Sequence, residues 1–261
     1  MPGRLLGRKF FEHRPELVAP RLLGKLLVCR PALVGGFVQD EEKGPGLKAS
    51  SVGKAFQGPE GPCSFRHPEL QVGLMVGRIV EVEAYLGPHN DPPDPAAHSH
   101  RGPTPRNRVL FELAGHAYVY SIYGRYFCLN VSCEEEGLAG CVLLRALEPV
   151  VGLEAMAANR GLPEGVRESE RLARQLASGP SRLSMALGIL RTSHNGLDVT
   201  KPSSPLQIRD DGFGVAEALA TRRIGINEKN EAVNWPLRFA IPGNASVSGR
   251  KNLKGRRVPI P

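Results

Sequence analysis

The run from Ile79 to Tyr85 constrains the fold more than any other stretch, because apolar and polar residues alternate along it. Alternate residues of a strand share one face. The residues expected to face the core are Val80, Val82 and Ala84. Glu81, Glu83 and Tyr85 then share the opposite face. Two carboxylates are costly to bury without partners, so this face is expected to line a cleft or meet solvent.

The tyrosines of the chain concentrate around a second alternating stretch. All five lie between residues 85 and 126, and residues 118–122 and 126–131 are typical of two strands of a hairpin. Gly124 tolerates the positive φ of a tight turn, which places Tyr123 and Arg125 at a protruding tip. A large aromatic side chain at an exposed tip is a poor core residue and a good wedge.

The rest of the periodicity predicts a protein of mixed helices and strands. Residues 140–147 are typical of a buried strand with Arg145 as the odd charge, and a buried arginine normally requires an anionic partner. Shorter strands are expected at residues 26–28 and 237–241. Helices are expected near residues 17–23, 151–160 and 167–177, and after residues 178–182. The glycine and proline that precede this last helix expose N–H groups suited to a phosphate.

The bulk properties bound the class of protein. With 261 residues the chain can bury a substantial core. The net charge of +8 and the pI of about 9.5 favour a polyanionic partner. Five cysteines without a CxxC pair argue against a disulfide framework or a zinc ribbon, and indicate reduced thiols. No apolar run reaches bilayer length, so an intracellular protein is expected.

Two segments differ in composition from the remainder. Residues 35–73 are rich in Gly, Pro, Ser and Lys and lack periodicity, which is typical of an insertion or a surface loop. Residues 250–261 form a basic tail without any acid, expected to be a solvated end that adds nonspecific attraction to DNA. The sequence is interpreted as one domain, residues 1–261, that includes both segments.

The aromatic and acidic window is compatible with more than one chemistry. Rings and one carboxylate suit a pocket that stacks a flat ligand beside a general base. A hard-cation site is the alternative, and its candidate ligands are Glu81, Glu83, Asp91, Asp94 and His98. His67-Pro68-Glu69 matches half of a zinc deaminase motif by chance, since no CxxC follows. No lysine lies between Lys54 and Lys201, which leaves water as the favoured nucleophile.

Several long motifs, taken in order, closely resemble the alkyladenine (3-methyladenine) DNA glycosylase family. They occupy residues 78–88, 96–99, 104–108, 118–130, 142–149, 178–181 and 236–239. The resemblance implies a single α+β domain with a curved, mainly antiparallel sheet and surrounding helices, from which a hairpin enters the DNA minor groove. It implies a monofunctional enzyme that flips alkylated purines of the 3-methyladenine and 7-methylguanine type out of duplex DNA and leaves an abasic site. It implies neither metal nor cofactor, and we expect a monomer.

The resemblance also implies roles for individual residues. Glu83 would activate the attacking water, and Arg145 and the main chain near Val247 would hold that water. Tyr85 and His98 would stack on one side of the flipped base and Tyr120 on the other. The residue implied to disfavour guanine is Asn130, and the one implied to fill the gap in the duplex is Tyr123. The candidates for DNA-backbone contact are Arg106, Arg108, Arg125, Gly179, Ser181 and Arg182.

Two features depart from the family pattern. Arg125 stands beside the wedge where an apolar residue is expected, and residues 35–73 have no recognised counterpart. Both bear on the range of lesions more than on the class of reaction. A noncatalytic nucleic-acid-binding module that uses the same aromatic surface is the runner-up hypothesis.

Overall fold

A curved sheet of ten antiparallel strands organises the computed structural model, which describes residues 3–30, 73–163, 165, 169–249 and 254–260. The strands are β1 (Arg4–Leu5), β2 (Leu26–Cys29), β3 (Met75–Tyr85), β4 (Ala117–Ile122), β5 (Tyr126–Cys133), β6 (Gly140–Val151), β7 (Leu206–Asp210), β8 (Glu217–Thr221), β9 (Arg238–Ala240) and β10 (Arg256–Pro259). Their order is β1-β7-β2-β3-β6-β5-β4, and β9 joins β3 to β8 and β10. The expected α+β class and curved antiparallel sheet are confirmed.

Short helices cover part of the sheet and close the main core. Within the described ranges they are α1 (Pro15–Leu22), α2 (Leu153–Asn159), α3 (Glu170–Gln175), α4 (Pro180–Ala186) and α5 (Arg191–His194). Three 3-10 turns accompany them at Arg8–Phe10, Arg108–Phe111 and Glu231–Asn234. Side chains from α1, α2 and α4, among them Leu22, Met156 and Leu183, pack with Leu144 of the sheet in one apolar cluster. The predicted helices are confirmed: α2 and α3 are shorter than expected, and α1 begins two residues earlier than expected.

Strand β3 is the hub of the sheet because it has neighbours on both edges along most of its length. It pairs with β6 from Val76 to Tyr85, while its other edge pairs first with β2 and then, at residues 81–83, with β9. A strand between two others and beneath helices is buried on both faces. Nearly every residue of β3 is buried, Glu81 and Glu83 among them.

Two compensating bulges interrupt the alternation that the sequence predicts for β3. Ile79 pairs with Leu147 and Glu81 with Ala146, so Val80 is an extra residue on β3. Val82 then pairs with Leu144, and the extra residue on β6 is Arg145. Such bulges re-aim side chains. The prediction that Val80 faces the main core is wrong: its cluster is formed by Val80, Ala146, Ala240, Val247 and Ile241.

Strands β4 and β5 form the predicted hairpin, and its tip is solvent-exposed. Ile122 pairs with Tyr126, and the Arg125 N–H donates to the Ile122 carbonyl at 3.2 Å. Tyr123 and Gly124 both have positive φ, 51° and 66°, at the two central positions of the turn that this hydrogen bond closes. The Tyr123 side chain is 91% exposed. We call residues 122–126 the hairpin tip.

The two compositionally distinct segments are described only in part. Of the insertion-like residues 35–73, all but Gly73 lie outside the described residues, as does the chance motif at residues 67–69. In the basic tail, Arg256 to Pro259 form β10 and pair with β8. The Arg256 and Arg257 side chains are exposed, as expected of a solvated end. Cys29, Cys128, Cys133 and Cys141 are buried free thiols, as expected. None of the described helices is long and apolar enough to cross a membrane.

Candidate active site

A cavity of about 530 Å³ opens between the β4–β5 hairpin, the N-terminus of α4 and the loop after β8. This volume lies in the range of small-molecule pockets, roughly 300–1,000 Å³. The predicted site residues that line it are Tyr85, His98, Arg106, Tyr120, Tyr123, Asn130 and Arg145. Residues separated by up to 60 positions in sequence are therefore brought together around one space.

The aromatic side chains on the wall of the cavity contact one another. The His98 and Tyr120 rings lie 4.5 Å apart, centroid to centroid, at 73°, and Tyr118 stacks on Tyr120 at 5.6 Å. His98 Nδ1 also lies 3.0 Å from the Tyr118 hydroxyl. A base sandwiched between two rings needs roughly 7 Å, because carbon atoms in contact lie about 3.5 Å apart. His98 and Tyr120 must therefore separate before they can hold a base from opposite sides.

Glu83 lies directly behind the wall of the cavity and is completely buried. Its Oε1 accepts from the Ile224 N–H at 2.8 Å and lies 3.1 Å from Arg145 Nη1, and its Oε2 accepts from the Tyr85 hydroxyl at 2.9 Å. An ionised carboxylate offers about four lone-pair sites. Three are used by donors among the described residues, which leaves a site on Oε2 for one more donor.

Glu81 is the second buried carboxylate of β3 and is more heavily bonded than Glu83. It accepts from Arg145, Arg238 and Ser248. Burial by itself would raise the pKa of Glu81, but the charges of Arg145 and Arg238 hold that pKa below its usual value. The prediction that this strand face lines a cleft is wrong for Glu81 and Glu83, because both are fully buried and neither lines the cavity.

Arg145 has the anionic partners that a buried arginine requires, as predicted. Its side chain lies between Glu81 and Glu83 and reaches the cavity. Burial lowers the pKa of Arg145 but the two carboxylates raise it by more, so the guanidinium stays charged. We call Glu81, Glu83, Arg145 and Arg238 the carboxylate floor.

Apart from Arg106, the remaining lining groups are neutral. Burial and the neighbouring Glu83 charge raise the pKa of Tyr85 well above its usual value, so its hydroxyl remains a donor. Burial raises the pKa of Cys128 to about 11. Asn130 donates to the Tyr118 carbonyl at 3.2 Å and lies 3.9 Å from the Cys141 thiol. The cavity therefore presents flat rings, one amide and a buried ionic group.

Of the candidates for backbone contact, Arg106 lines the cavity and Gly179 and Ser181 flank a lining residue, Pro180. Arg106 lies 5.9 Å from the Tyr120 ring centroid and donates to the Ser121 carbonyl, so it is part of the cavity wall. Arg108 is exposed beside Glu112, and Arg125 is exposed in the hairpin tip. Gly179 precedes α4, with Ser181 and the exposed Arg182 in its first turn.

Sequence reasoning missed several residues that build the site. Arg238 lies on β9 and shares Glu81 with Arg145, and Arg223 lies 4.5 Å from the Tyr85 ring centroid and pairs with Asp94 at 2.5 Å. A signal was present for Arg238, a charge between apolar neighbours like Arg145. None was present for the Ile224 N–H, because a backbone donor has no sequence signature.

The alternative cation site is not assembled. Asp94 caps its own turn through the Ala96 N–H and pairs with Arg223, which confirms its interpretation as turn chemistry. Across the described ranges, no three His, Cys, Asp or Glu side chains converge in the way a metal site needs.

The fold and the site together define an α+β protein with an aromatic pocket beside a cluster of buried ion pairs. The chain matches the family model described as Methylpurine-DNA glycosylase over residues 65–245. It belongs to that family, and it is a DNA glycosylase, a hydrolase that acts on N-glycosyl bonds.

Relatives match over most of their own length. A protein from Koribacter versatilis is 43% identical over 248 residues, 95% of this chain and 95% of that protein. A protein from Burkholderia orbicola is 37% identical over 249 residues, 95% of this chain and 93% of its own. One from Methanoculleus marisnigri is 45% identical over 180 residues, 67% of this chain and 83% of its own. All three are provisionally named 3-methyladenine DNA glycosylases.

Proposed function

We propose that this protein removes 3-methyladenine and related alkylated purines, such as 7-methylguanine, from duplex DNA by hydrolysis of the N-glycosidic bond. The observation that carries the proposal is the buried Glu83 carboxylate, hydrogen-bonded to Tyr85 and Arg145 where both line an aromatic cavity. The names of the relatives favour the same substrate class.

In the proposed mechanism Glu83 is the general base. Water would take the lone-pair site on its Oε2 and be held by Arg145 and the main chain near Val247. Glu83 accepts the proton as the water attacks the sugar carbon, and the purine departs with the electrons of the broken bond. Alkylation at N3 or N7 makes the purine cationic, so it leaves without needing a proton from the enzyme.

Recognition would rely on stacking. Tyr85 and His98 on one side and Tyr120 on the other would hold the extruded base, and a cationic purine interacts more strongly with aromatic faces than a neutral one. Stacking on aromatic side chains is worth roughly 1–3 kcal/mol per base. Asn130 would meet the 2-amino group of guanine and so disfavour the normal base. Because His98 and Tyr120 are in contact, base entry would also part these rings.

DNA would be gripped at the rim of the cavity. An enzyme that acts on a base within a duplex must extrude it, and Tyr123 in the hairpin tip would enter the minor groove and fill the vacated place. Arg106, Arg108 and Arg125 would meet the backbone on the hairpin side. Gly179, Ser181 and Arg182 would meet it beside α4, where N–H groups and a positive charge suit phosphate.

The decisive experiment compares wild type with Glu83→Gln on duplexes that carry 3-methyladenine. The amide keeps the shape of the side chain but cannot accept the proton. Release of the free base under single-turnover conditions is expected to fall by about 10²–10⁴-fold, the usual contribution of a general base. The affinity for lesion-bearing duplex, measured by fluorescence anisotropy, is expected to survive.

The alternatives predict different products in the same assay. If the protein is a noncatalytic binding module, the wild type will bind the duplex but release no purine. A metal-dependent nuclease would cut the strand directly, and EDTA would abolish that cut. We expect free purine and an alkali-sensitive abasic site, both unaffected by EDTA.

A further inference from the structure

Glu81 accepts four hydrogen bonds close to the cavity, yet it does not line it. Its Oε1 accepts from Arg145 Nε at 2.8 Å, Arg238 Nε at 2.8 Å and the Ser248 hydroxyl at 2.9 Å. Its Oε2 accepts from the Ser248 N–H at 2.6 Å. A carboxylate that is saturated and wholly buried has no access to a substrate, so Glu81 can act only through its partners.

The first partner is the guanidinium that also reaches Glu83. Arg145 presents a rigid planar fork. Its Nε is held by Glu81, its Nη1 lies 3.1 Å from Glu83 Oε1, and its Nη2 donates to the Ser248 hydroxyl at 3.5 Å. Because the fork is planar, the bond at Nε determines where Nη1 points. Arg145 is also the extra residue of a β-bulge, which turns its side chain toward both carboxylates.

The second partner is a peptide group. A peptide bond is planar and trans, so the hydrogen bond from the Ser248 N–H to Glu81 also fixes the direction of the Val247 carbonyl. Val247 is buried against Val80, Ala146 and Ala240. The same carboxylate therefore fixes both groups that would hold the attacking water.

We propose that Glu81 is a positioning residue for hydrolysis, which sets Arg145 and the Val247–Ser248 peptide relative to Glu83. The inference rests on the proposed function, because it concerns the geometry around the same base. Arg238 contributes to this arrangement by balancing charge, because the carboxylate floor contains two arginines and two carboxylates.

The split between rate and affinity supplies a readout that a purely structural role would not produce. Glu81 does not line the cavity. Its loss should therefore slow the hydrolytic step, through Arg145 and the Val247–Ser248 peptide, and leave the binding of duplex unchanged.

The test is Glu81→Gln, assayed as single-turnover release of 3-methyladenine, with duplex affinity measured in parallel. A displacement of about 1 Å in a catalytic group costs roughly 10²-fold, so we expect a loss of that order in rate with affinity retained. The control is Asp198→Asn, which removes another buried carboxylate partner of an arginine, Arg8, away from the cavity. It should leave both rate and affinity unchanged.

A folded Glu81→Gln variant with the wild-type rate would overturn the proposal. If that variant does not fold, Ser248→Ala decides the question, because it removes the hydroxyl bonds to Glu81 and Arg145 but no charge. We expect a several-fold slower rate with unchanged affinity, and a wild-type rate would overturn the proposal. Wild type that releases no alkylated purine would instead refute the proposed function.

Discussion

The carboxylate floor and the hairpin tip belong to one sheet but are built in opposite ways. The floor lies where β3 is flanked by β6 and β9, and its charges are paired with one another in the interior. The tip ends the outermost hairpin, where Tyr123 is 91% exposed. Constraint from many neighbours suits groups that must keep a fixed geometry, whereas an exposed turn suits a group that must enter another molecule.

Breaking the floor should have the largest effect on stability. Arg145→Met leaves two buried carboxylates with one arginine, and removal of one partner of a buried ion pair typically costs about 3–5 kcal/mol. We expect a loss of that size in the free energy of unfolding, measured by urea denaturation. The matched change at the tip, Arg125→Met, should stay within about 0.5 kcal/mol of wild type, as exposed substitutions usually do. Equal losses would remove the contrast between the two regions.

Glu134 sharpens the comparison, since it is a buried carboxylate with no arginine bonded to it in the described contacts. Burial raises the pKa of Glu134 to about 7, and its Oε2 has no hydrogen-bond partner there. A raised pKa means that the folded state binds a proton that the unfolded state releases at lower pH. The stability from this proton is complete below about pH 4.5 and is lost as the pH rises through about 7.

Glu134→Gln should therefore be more stable than wild type at pH 8, by about 1–3 kcal/mol, the usual cost of an unsatisfied buried group. The difference should vanish near pH 4. Glu81→Gln should show the opposite sign at pH 8, because its carboxylate is paired. Urea titrations at both pH values measure this, and a pH-independent difference for Glu134→Gln would contradict the assignment.

Removal of the wedge tests the tip itself. Tyr123→Ala should leave the free energy of unfolding unchanged, because the side chain is exposed. The dissociation constant for lesion-bearing duplex should rise by about tenfold, roughly 1.4 kcal/mol, as the gap left by the flipped base is no longer filled. Tyr126→Ala, at the same tip but on β5, is the control. A larger effect of Tyr126→Ala would show that Tyr126, and not Tyr123, fills the gap in the duplex.

The smallest expected effect is at the rim. Arg182→Ala removes one exposed charge beside α4, so it should weaken binding equally for damaged and undamaged duplex. The slope of log affinity against log salt should decrease by about one unit. An effect confined to lesion-bearing DNA would show that Arg182 contacts the base pocket rather than a phosphate.

Local sequence chemistry accounts for many of the elements. Alternation along β4 and β5, together with glycine at the turn, predicted the hairpin and its exposed Tyr123 correctly. A lone charge in the apolar run of β6 predicted that Arg145 would need an acid. The motifs also indicated which rings and which carboxylate share a site, because the resemblance to the family extends over most of the chain.

Only the tertiary structure determined where the alternation of apolar and polar residues along β3 fails. The sequence by itself determined the strands, the hairpin and the family. The hydrophobic period and the turn chemistry depend on residues that are close together in the chain. The two bulges that turn Val80 out of the main core and aim Arg145 at both glutamates depend on pairing between β3 and β6, which lie some 60 residues apart. The burial of Glu81 and Glu83 also depends on tertiary structure, because it needs arginines from β6 and β9. The sequence of β3 alone does not indicate which residues of other strands will pair with it.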